Sequence, residues 1–378
     1  MDERIYDYWA ATLQDGYLGD LVNIVDNAGG AHGLYDMTES SLRKAFGITD
    51  KLADYILEKR PDIGMLERSY DQMCAKGICY VNHADDDFPT KLLNIPSIPY
   101  GLFVKGQLPD PDKPAVAIVG ARECSEYGRL MAEYLGSRLA KSGVQIISGM
   151  AWGIDGISQD AAISSGGRSY GILGCGVDVV YPAKNRPLYM RLSENGNGLI
   201  SEYAPGTHAV ARLFPPRNRI ISGLCDVLIV VEARKRSGTL ITVDMAIDQG
   251  RCVMVVPGRL TDELSAGCMK LLYQGALPVT GIDSVLEVLG VGKQMSLDDT
   301  IITDTGNASA NKTAGDRMPD ELNKIADLLT IDPKSVEAIA TLAGMPVDVT
   351  LVMLSRLELN GIAREVWPGY FIKNVTVS

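Results

Sequence analysis

From residue 113 onward the chain alternates short apolar runs with segments of helical period. Residues 115–119, 144–148, 169–173, 199–203, 227–231 and 252–256 are near-continuous hydrophobic stretches of strand length. Runs of that length without polar alternation predict strands buried on both faces. Between them, 128–142, 154–165, 187–194, 218–223 and 239–249 read as helices, and 268–274 and 282–289 close the region. Strands alternating with helices predict an α/β class fold, a parallel sheet covered on both sides.

The flanks follow other patterns. Residues 1–65 carry short apolar-periodic segments at 5–13, 18–27, 40–46 and 51–59, ended by Ala28-Gly29-Gly30, by Gly47 and before Pro61. They predict a small helical domain. Residues 66–112 form a bridge with one helix (67–76), two short strands (78–81 and 100–104) and a turn at His83-Ala84-Asp85-Asp86-Asp87. Adjacent carboxylates do not converge on one ion without further ligands, so the three aspartates read as a solvated turn. Residues 291–318 are polar and aperiodic, the pattern of a linker. Beyond it, helices at 320–329, 335–343 and 347–360 precede a hairpin through Trp367-Pro368-Gly369. Three helices and a hairpin make a winged-helix-like pattern. The third helix carries little positive charge, which favours protein contact over major-groove reading.

The net charge is −11 over 378 residues. Read alone, that speaks against a nucleic-acid partner. The charge is uneven, however. Residues 1–112 hold 10 basic and 19 acidic side chains, residues 113–290 hold 18 and 16, and the remainder 8 and 12. A slightly basic centre between acidic flanks leaves room for an anion site. Seven scattered cysteines without a CxxC pair, three distant histidines and an acidic start without a signal-peptide pattern predict a cytoplasmic protein with no structural metal.

The candidate chemistry lies at the ends of the predicted strands. Gly120-Ala121-Arg122 follows the first, Ser148-Gly149 the second, and Ser237-Gly238-Thr239 opens the helix after the fifth. Glycines and hydroxyls at strand-to-helix turns expose free backbone amides to an anion, and open α/β sheets bind ligands at that edge. None of these loops is GxGxxG, and no acid stands at the end of the second strand, so no dinucleotide cofactor is expected. Asp155 reads as a helix N-cap, and Cys175, without a nearby histidine, as a small buried residue. The stretch Phe214-Pro215-Pro216-Arg217-Asn218-Arg219 stands out. It has Arg212 just before it, and no acidic residue lies between Glu202 and Asp226. It is either a solvated basic loop or a binding segment.

Taken in order, Gly120-Ala121-Arg122, Ser148-Gly149-Met150-Ala151 with Gly153-Ile154-Asp155-Gly156, Tyr181-Pro182 with Asn185, Ser201-Glu202-Tyr203, Phe214-Pro215 with Arg217-Asn218-Arg219, Val231-Glu232-Ala233, Ser237-Gly238-Thr239 and Val256-Pro257-Gly258 resemble the DprA/Smf family of DNA-processing proteins. The match is strong over about 100–275. The resemblance implies a Rossmann-like core over 66–290, a SAM or helix-hairpin-helix-like domain over 1–65 and a winged-helix-like domain over 319–378. It implies a homodimeric, non-catalytic protein that binds single-stranded DNA, protects incoming strands and loads the RecA recombinase during natural transformation. Carried onto this chain, the DNA contacts are Arg122, Ser148, Gly149, Lys184, Arg212, Phe214, Arg217, Asn218, Arg219, Ser237 and Gly238. Phe214 is the expected base-stacking ring, and Arg217 or Arg219 is expected to hold the fold in part. Two departures stand out: Gln159-Asp160-Ala161-Ala162 where the family carries Ala-His, and Ala266-Gly267-Cys268 where Gly-Asn is common. The alternative, a nucleotide-processing hydrolase on a related scaffold, requires carboxylates just after the Ser237-Gly238-Thr239 turn, and none stands there before Asp244.

Overall fold

The computed structural model describes residues 3–15, 20–45, 47–291, 320–330 and 333–373. The chain divides into two compact units, Met1–Lys293 and Gln294–Ser378. The expected linker lies, past residue 291, outside the described residues.

The first unit is built on a nine-stranded sheet of order β1-β2-β6-β5-β4-β3-β7-β8-β9. Its strands are β1 (Ile78–Asn82), β2 (Gly101–Gly106), β3 (Ala115–Val119), β4 (Gln145–Ser148), β5 (Ser169–Ile172), β6 (Gly198–Ser201), β7 (Val227–Val230), β8 (Cys252–Val255) and β9 (Leu277–Pro278). From β6 to β9 all neighbours are parallel. The purely parallel sheet predicted from the apolar runs needs one correction. The two strands of the bridge join the same sheet, β1 antiparallel to β2 and β2 antiparallel to β6. Strand pairing is non-local, and the local pattern at 78–81 and 100–104 carries no sign of its partner.

Alternation along β3 divides the core. Ala115, Ala117 and Val119 pack with Ile220, Ile221, Leu224, Val243 and Leu271 on one face. Val116 and Ile118 pack with Leu135, Leu139, Ile154 and Val285 on the other. The helices on the first face are α10 (Phe214–Leu224), α11 (Gly238–Asp248) and α12 (Ala266–Tyr273); on the second they are α7 (Glu126–Lys141), α8 (Ile154–Ser164) and α13 (Ile282–Leu289). All five residues of β3 are buried, which explains the unbroken apolar run. Burying each such Val or Ile side chain stabilises by about 1.5–3 kcal/mol. Helices α7 and α8 approach so closely that a Cβ on Gly136 would lie 2.2 Å from the Ser158 carbonyl oxygen. Helix α9 (Arg186–Leu192) covers β5 and β6.

Helix α10 begins earlier than the sequence predicts, at Phe214 rather than Asn218. Pro215 and Pro216 occupy the first turn, where a missing N–H costs nothing and a fixed φ suits the helix.

The N-terminal helices α1 (Glu3–Thr12), α2 (Leu21–Asn27), α3 (Ala31–Asp36), α4 (Glu39–Leu42), α5 (Asp50–Glu58) and α6 (Ile63–Ala75) share one core with the sheet end. Trp9, Leu13, Leu34 and Ile56 pack in the cluster that holds Tyr80, Tyr100, Phe103 and Val177. Buried Gln14 fastens this layer. Its Nε2 donates to the carbonyls of Glu202 (2.8 Å) and Gly101 (3.3 Å), and its Oε1 accepts the Tyr100 amide at 2.9 Å. Within the aspartate turn, Asp85 accepts the Asn82 amide and pairs with Arg4, while Asp86 and Asp87 are partly or fully exposed.

The second unit holds α14 (Asp320–Leu328), α15 (Val336–Ala343), α16 (Val347–Leu359) and a small antiparallel sheet of order β10-β12-β11, with strands Lys334–Ser335, Tyr370–Lys373 and Ala363–Trp367. Ile325, Ile339, Leu354, Leu357 and Phe371 form its core. Helix α16 leaves Leu351, Val352 and Leu359 exposed, and Arg356 is its single cation. Among the described residues no single helix is long and apolar enough to cross a membrane, and no cluster of three or more His, Cys, Asp or Glu is placed to hold a metal ion.

Candidate functional site

Strand β3 starts the point where the sheet order reverses, with β4 on one side and β7 on the other. At the carboxyl ends of these strands the crevice opens into a pocket of about 510 Å³. This is the position where open α/β sheets receive ligands. Its walls come from the loop after β3 (Gly120, Ala121, Arg122), the start of α10 (Phe214, Arg217, Asn218) and the start of α11 (Ser237, Gly238, Thr239), with Tyr181 at one side.

The local sequence builds each wall. Ser237 caps α11, its Oγ accepting the Thr239 amide at 3.2 Å, and the Thr239 hydroxyl donates to the Gly120 carbonyl at 3.2 Å. The first turn of α11 therefore stands against the β3 loop at the pocket wall, and the positive end of the helix dipole is favourable for negative charge. Gly153 (φ +86°) starts α8 where a Cβ would lie 2.3 Å from the Arg122 carbonyl oxygen. The Ile154 amide donates to the Ala121 carbonyl at 3.2 Å. The β3 and β4 loops are thus fixed to each other, while the Arg122 side chain itself is exposed and enters no ion pair among the described residues. Exposed Lys235 and Arg236 precede Ser237.

The arginines of the 212–219 stretch behave differently. Arg217 is 5% exposed and reaches inward, donating to the carbonyls of Gly149 (3.0 Å) and Ile172 at the ends of β4 and β5. Burial pushes its guanidinium pKa down to about 10, against the attraction of Asp155. Asp155 is buried too and accepts the Gly149 amide at 3.1 Å. Desolvation pushes its carboxyl pKa up, opposed by Arg217 and by that amide. The N-cap of α8 is Gly153, so Asp155 is not the cap expected from the sequence; it lies one residue inside the helix and ties the β4 turn. Arg219 forms a bidentate ion pair with buried Glu202 at 2.8 and 2.6 Å, and its Nε donates to the Ser97 carbonyl. Both arginines are therefore committed to protein, Arg217 at the pocket wall and Arg219 away from it.

The remaining sequence candidates separate in the same way. Arg122, Phe214, Asn218, Ser237 and Gly238 are brought together around the pocket. Ser148 is fully buried and donates to the Ile118 carbonyl at 2.6 Å, a bond within the sheet. Gly149 is buried, its amide on Asp155 and its carbonyl on Arg217. Arg212 is exposed and donates to the Asp15 carbonyl at 2.6 Å. Lys184 is exposed and lies over the Trp152 ring at 5.2 Å. Phe214 is half-buried, with Tyr181 at 5.4 Å between ring centroids and Arg217 at 5.7 Å from its own. The more exposed rings are two that the sequence reading left out of the contact set, Tyr181 (44%), there only part of a family motif, and Trp152 (49%). Their signal was present: aromatic residues inside strand-end loops, where a core role is the exception. Gln159, at the departure from Ala-His, is buried and structural; it accepts the Met150 amide at 3.0 Å and donates to the Tyr170 carbonyl.

Residues 79–290 match the family model described as DNA recombination-mediator protein A. Protein Smf of Escherichia coli (strain K12) is 36% identical over 288 residues, 76% of this chain and 75% of that protein. The DNA processing protein DprA of Streptococcus pneumoniae is 43% identical over 202 residues, 53% of this chain and 71% of that one. The X-ray structure of the pneumococcal DprA superimposes with a TM-score of 0.63 at 31% identity, covering 76% of this chain and 97% of that chain. A structure of DNA processing protein A from Helicobacter pylori, which concerns that protein's single-stranded DNA binding mode, aligns with a TM-score of 0.50 at 27% identity over 56% of this chain and 95% of that chain.

Proposed function

Since this chain belongs to the DNA recombination-mediator protein A family, that of the DprA and Smf proteins, we propose that it binds single-stranded DNA at the pocket beside β3, shields the strand and passes it to the RecA recombinase during transformation. The observation that carries the reading is the composition of that pocket. A guanidinium with no ion pair among the described residues (Arg122), the N-terminal end of α11 and aromatic rings line one crevice. Guanidinium and amides suit phosphates, and rings accept any base without reading sequence. The contacts in this reading are Arg122, Phe214, Asn218, Ser237 and Gly238, with Tyr181 added. The function is taken as non-catalytic. Asp155 is the one carboxylate among the described residues of the pocket wall, and the Gly149 amide and the charge of Arg217 already engage it. The protein acts in the cytoplasm as a homodimer joined through its sheet-bearing unit, with α12 and α13 as the candidate faces. Helix α16, apolar and nearly without cations, suits a protein partner better than a DNA groove.

Fluorescence anisotropy with labelled single- and double-stranded oligonucleotides tests the reading. The expected result is tighter binding of the single strand, weakening with salt by a log–log slope of about −0.7 per phosphate contacted. Equal affinity for both forms, or no binding at low salt, overturns it. Release of free base from nucleoside monophosphates would replace it with the hydrolase.

A further inference from the structure

We propose that Trp152 is a second base-stacking position, outside the pocket, working beside Lys184, a phosphate contact already expected from the family resemblance. The inference rests on the single-stranded DNA reading of the neighbouring pocket and extends it by one nucleotide.

Trp152 is half-exposed in the single chain, and its ring is among the most costly to leave in water. Trp152 is not left out by a floppy loop. On one side Gly153 locks the backbone against the Arg122 carbonyl, and the Ile154 amide binds that of Ala121. On the other side buried Asn185 donates its Nδ2 to the carbonyls of Met150 (2.9 Å) and Ala151 (3.1 Å). The residues on both sides of the ring are thus held by two different connections of the sheet edge. A ring carried on a backbone fixed in advance costs less ordering when a base stacks on it.

The placement continues the pocket. Ala151 lines the pocket wall and Trp152 follows it. Asn185, which pins that loop, belongs to the same short turn as Lys184, and Tyr181 at the head of that turn also lines the pocket. Phosphate-binding Arg122 and the Trp152–Lys184 pair therefore flank one backbone junction. At present the lysine ammonium rests 5.2 Å from the ring centroid. Such a contact is weak at an exposed site, and the lysine stem is flexible. An arriving base displaces the ammonium from the ring and supplies a phosphate for it. The cation then changes partner without being desolvated.

The test uses the full chain. The three tryptophans are Trp9, Trp152 and Trp367. Trp9 is buried among the N-terminal helices. In a Trp367→Phe background, titration with oligo-dT is expected to quench the Trp152 emission. Trp152→Ala is expected to weaken oligo-dT binding about tenfold, within the range for loss of one stacked base, and Trp152→Phe to restore most of it. With an abasic oligonucleotide of equal charge, Trp152→Ala and wild type should bind alike, which separates stacking from phosphate contact. No quenching at saturation, or unchanged oligo-dT affinity in Trp152→Ala while Arg122→Ala loses binding, overturns the proposal and leaves the pocket reading standing. Absence of single-strand binding by the wild type overturns both. Thermal melting confirms that each variant is folded.

Discussion

Helix α10 and the loops after β3 and β7 bring arginines to the same edge of one sheet, and surround them in opposite ways. In α10, Arg217 points into the crevice between strand ends and saturates the carbonyls of Gly149 and Ile172, while Arg219 closes on Glu202. In the loops, Arg122, Lys235 and Arg236 face solvent. The arginines of α10 are therefore the poorer source of free charge. Terminal carbonyls of parallel strands have no ladder partner, and a helix laid across them offers long donors that reach in. The lesson is that an arginine cluster beside a strand end can substitute for missing hydrogen bonds and need not mark an anion site.

Three experiments bear on that contrast. The largest effect is expected for Arg217→Met. It leaves two strand-end carbonyls unpaired and Asp155 without its counter-charge, so stability should fall by about 3–5 kcal/mol in urea unfolding. If Arg217→Met remains stable and loses only DNA affinity, the contrast fails. Next, Arg122→Ala should leave stability unchanged within about 0.5 kcal/mol. It should weaken single-strand binding and lower the magnitude of the salt slope by about 0.7, the share of one phosphate; loss of Lys235 and Arg236 should lower the slope without changing preference for single strands. The smallest effect concerns Cys175 on the same edge. It is buried, and desolvation pushes its thiol up to about 11. A raised thiol pKa leaves little thiolate near pH 8, so Cys175 should resist iodoacetamide there while exposed Cys74 and Cys79 react, as read by mass spectrometry. Labelling of Cys175 at their rate would mean that the edge opens in solution.

Much of this was legible in the residues. Six apolar runs and the helices between them follow from burial on both faces, which leaves an unambiguous mark. The places that escaped share one property: they depend on partners distant in sequence. Strands β1 and β2 were visible, but their membership of the main sheet was not, because register is set across space. The commitment of Arg217 depends on carbonyls 68 and 45 residues away. Phe214 stood out beside its arginines, whereas Trp152 and Tyr181 gained meaning only when their loops met. Ordered motifs pointed correctly to the family. Which side chain of a motif faces outward was decided by packing.

The bonds of Gln14 bear on the order in which the chain is made. Its Nε2 waits for a carbonyl 188 residues downstream, and the core it shares includes Phe103 and Val177. At a synthesis rate of about 5–20 residues per second, that interval is roughly 10–40 s. During it the N-terminal helices can pack against one another and against Tyr80, Tyr100 and Phe103, while the Gln14 amide still lacks its Glu202 partner. The bond that fastens the helical layer to the sheet is thus one of long sequence separation, made only after β6 has been synthesised.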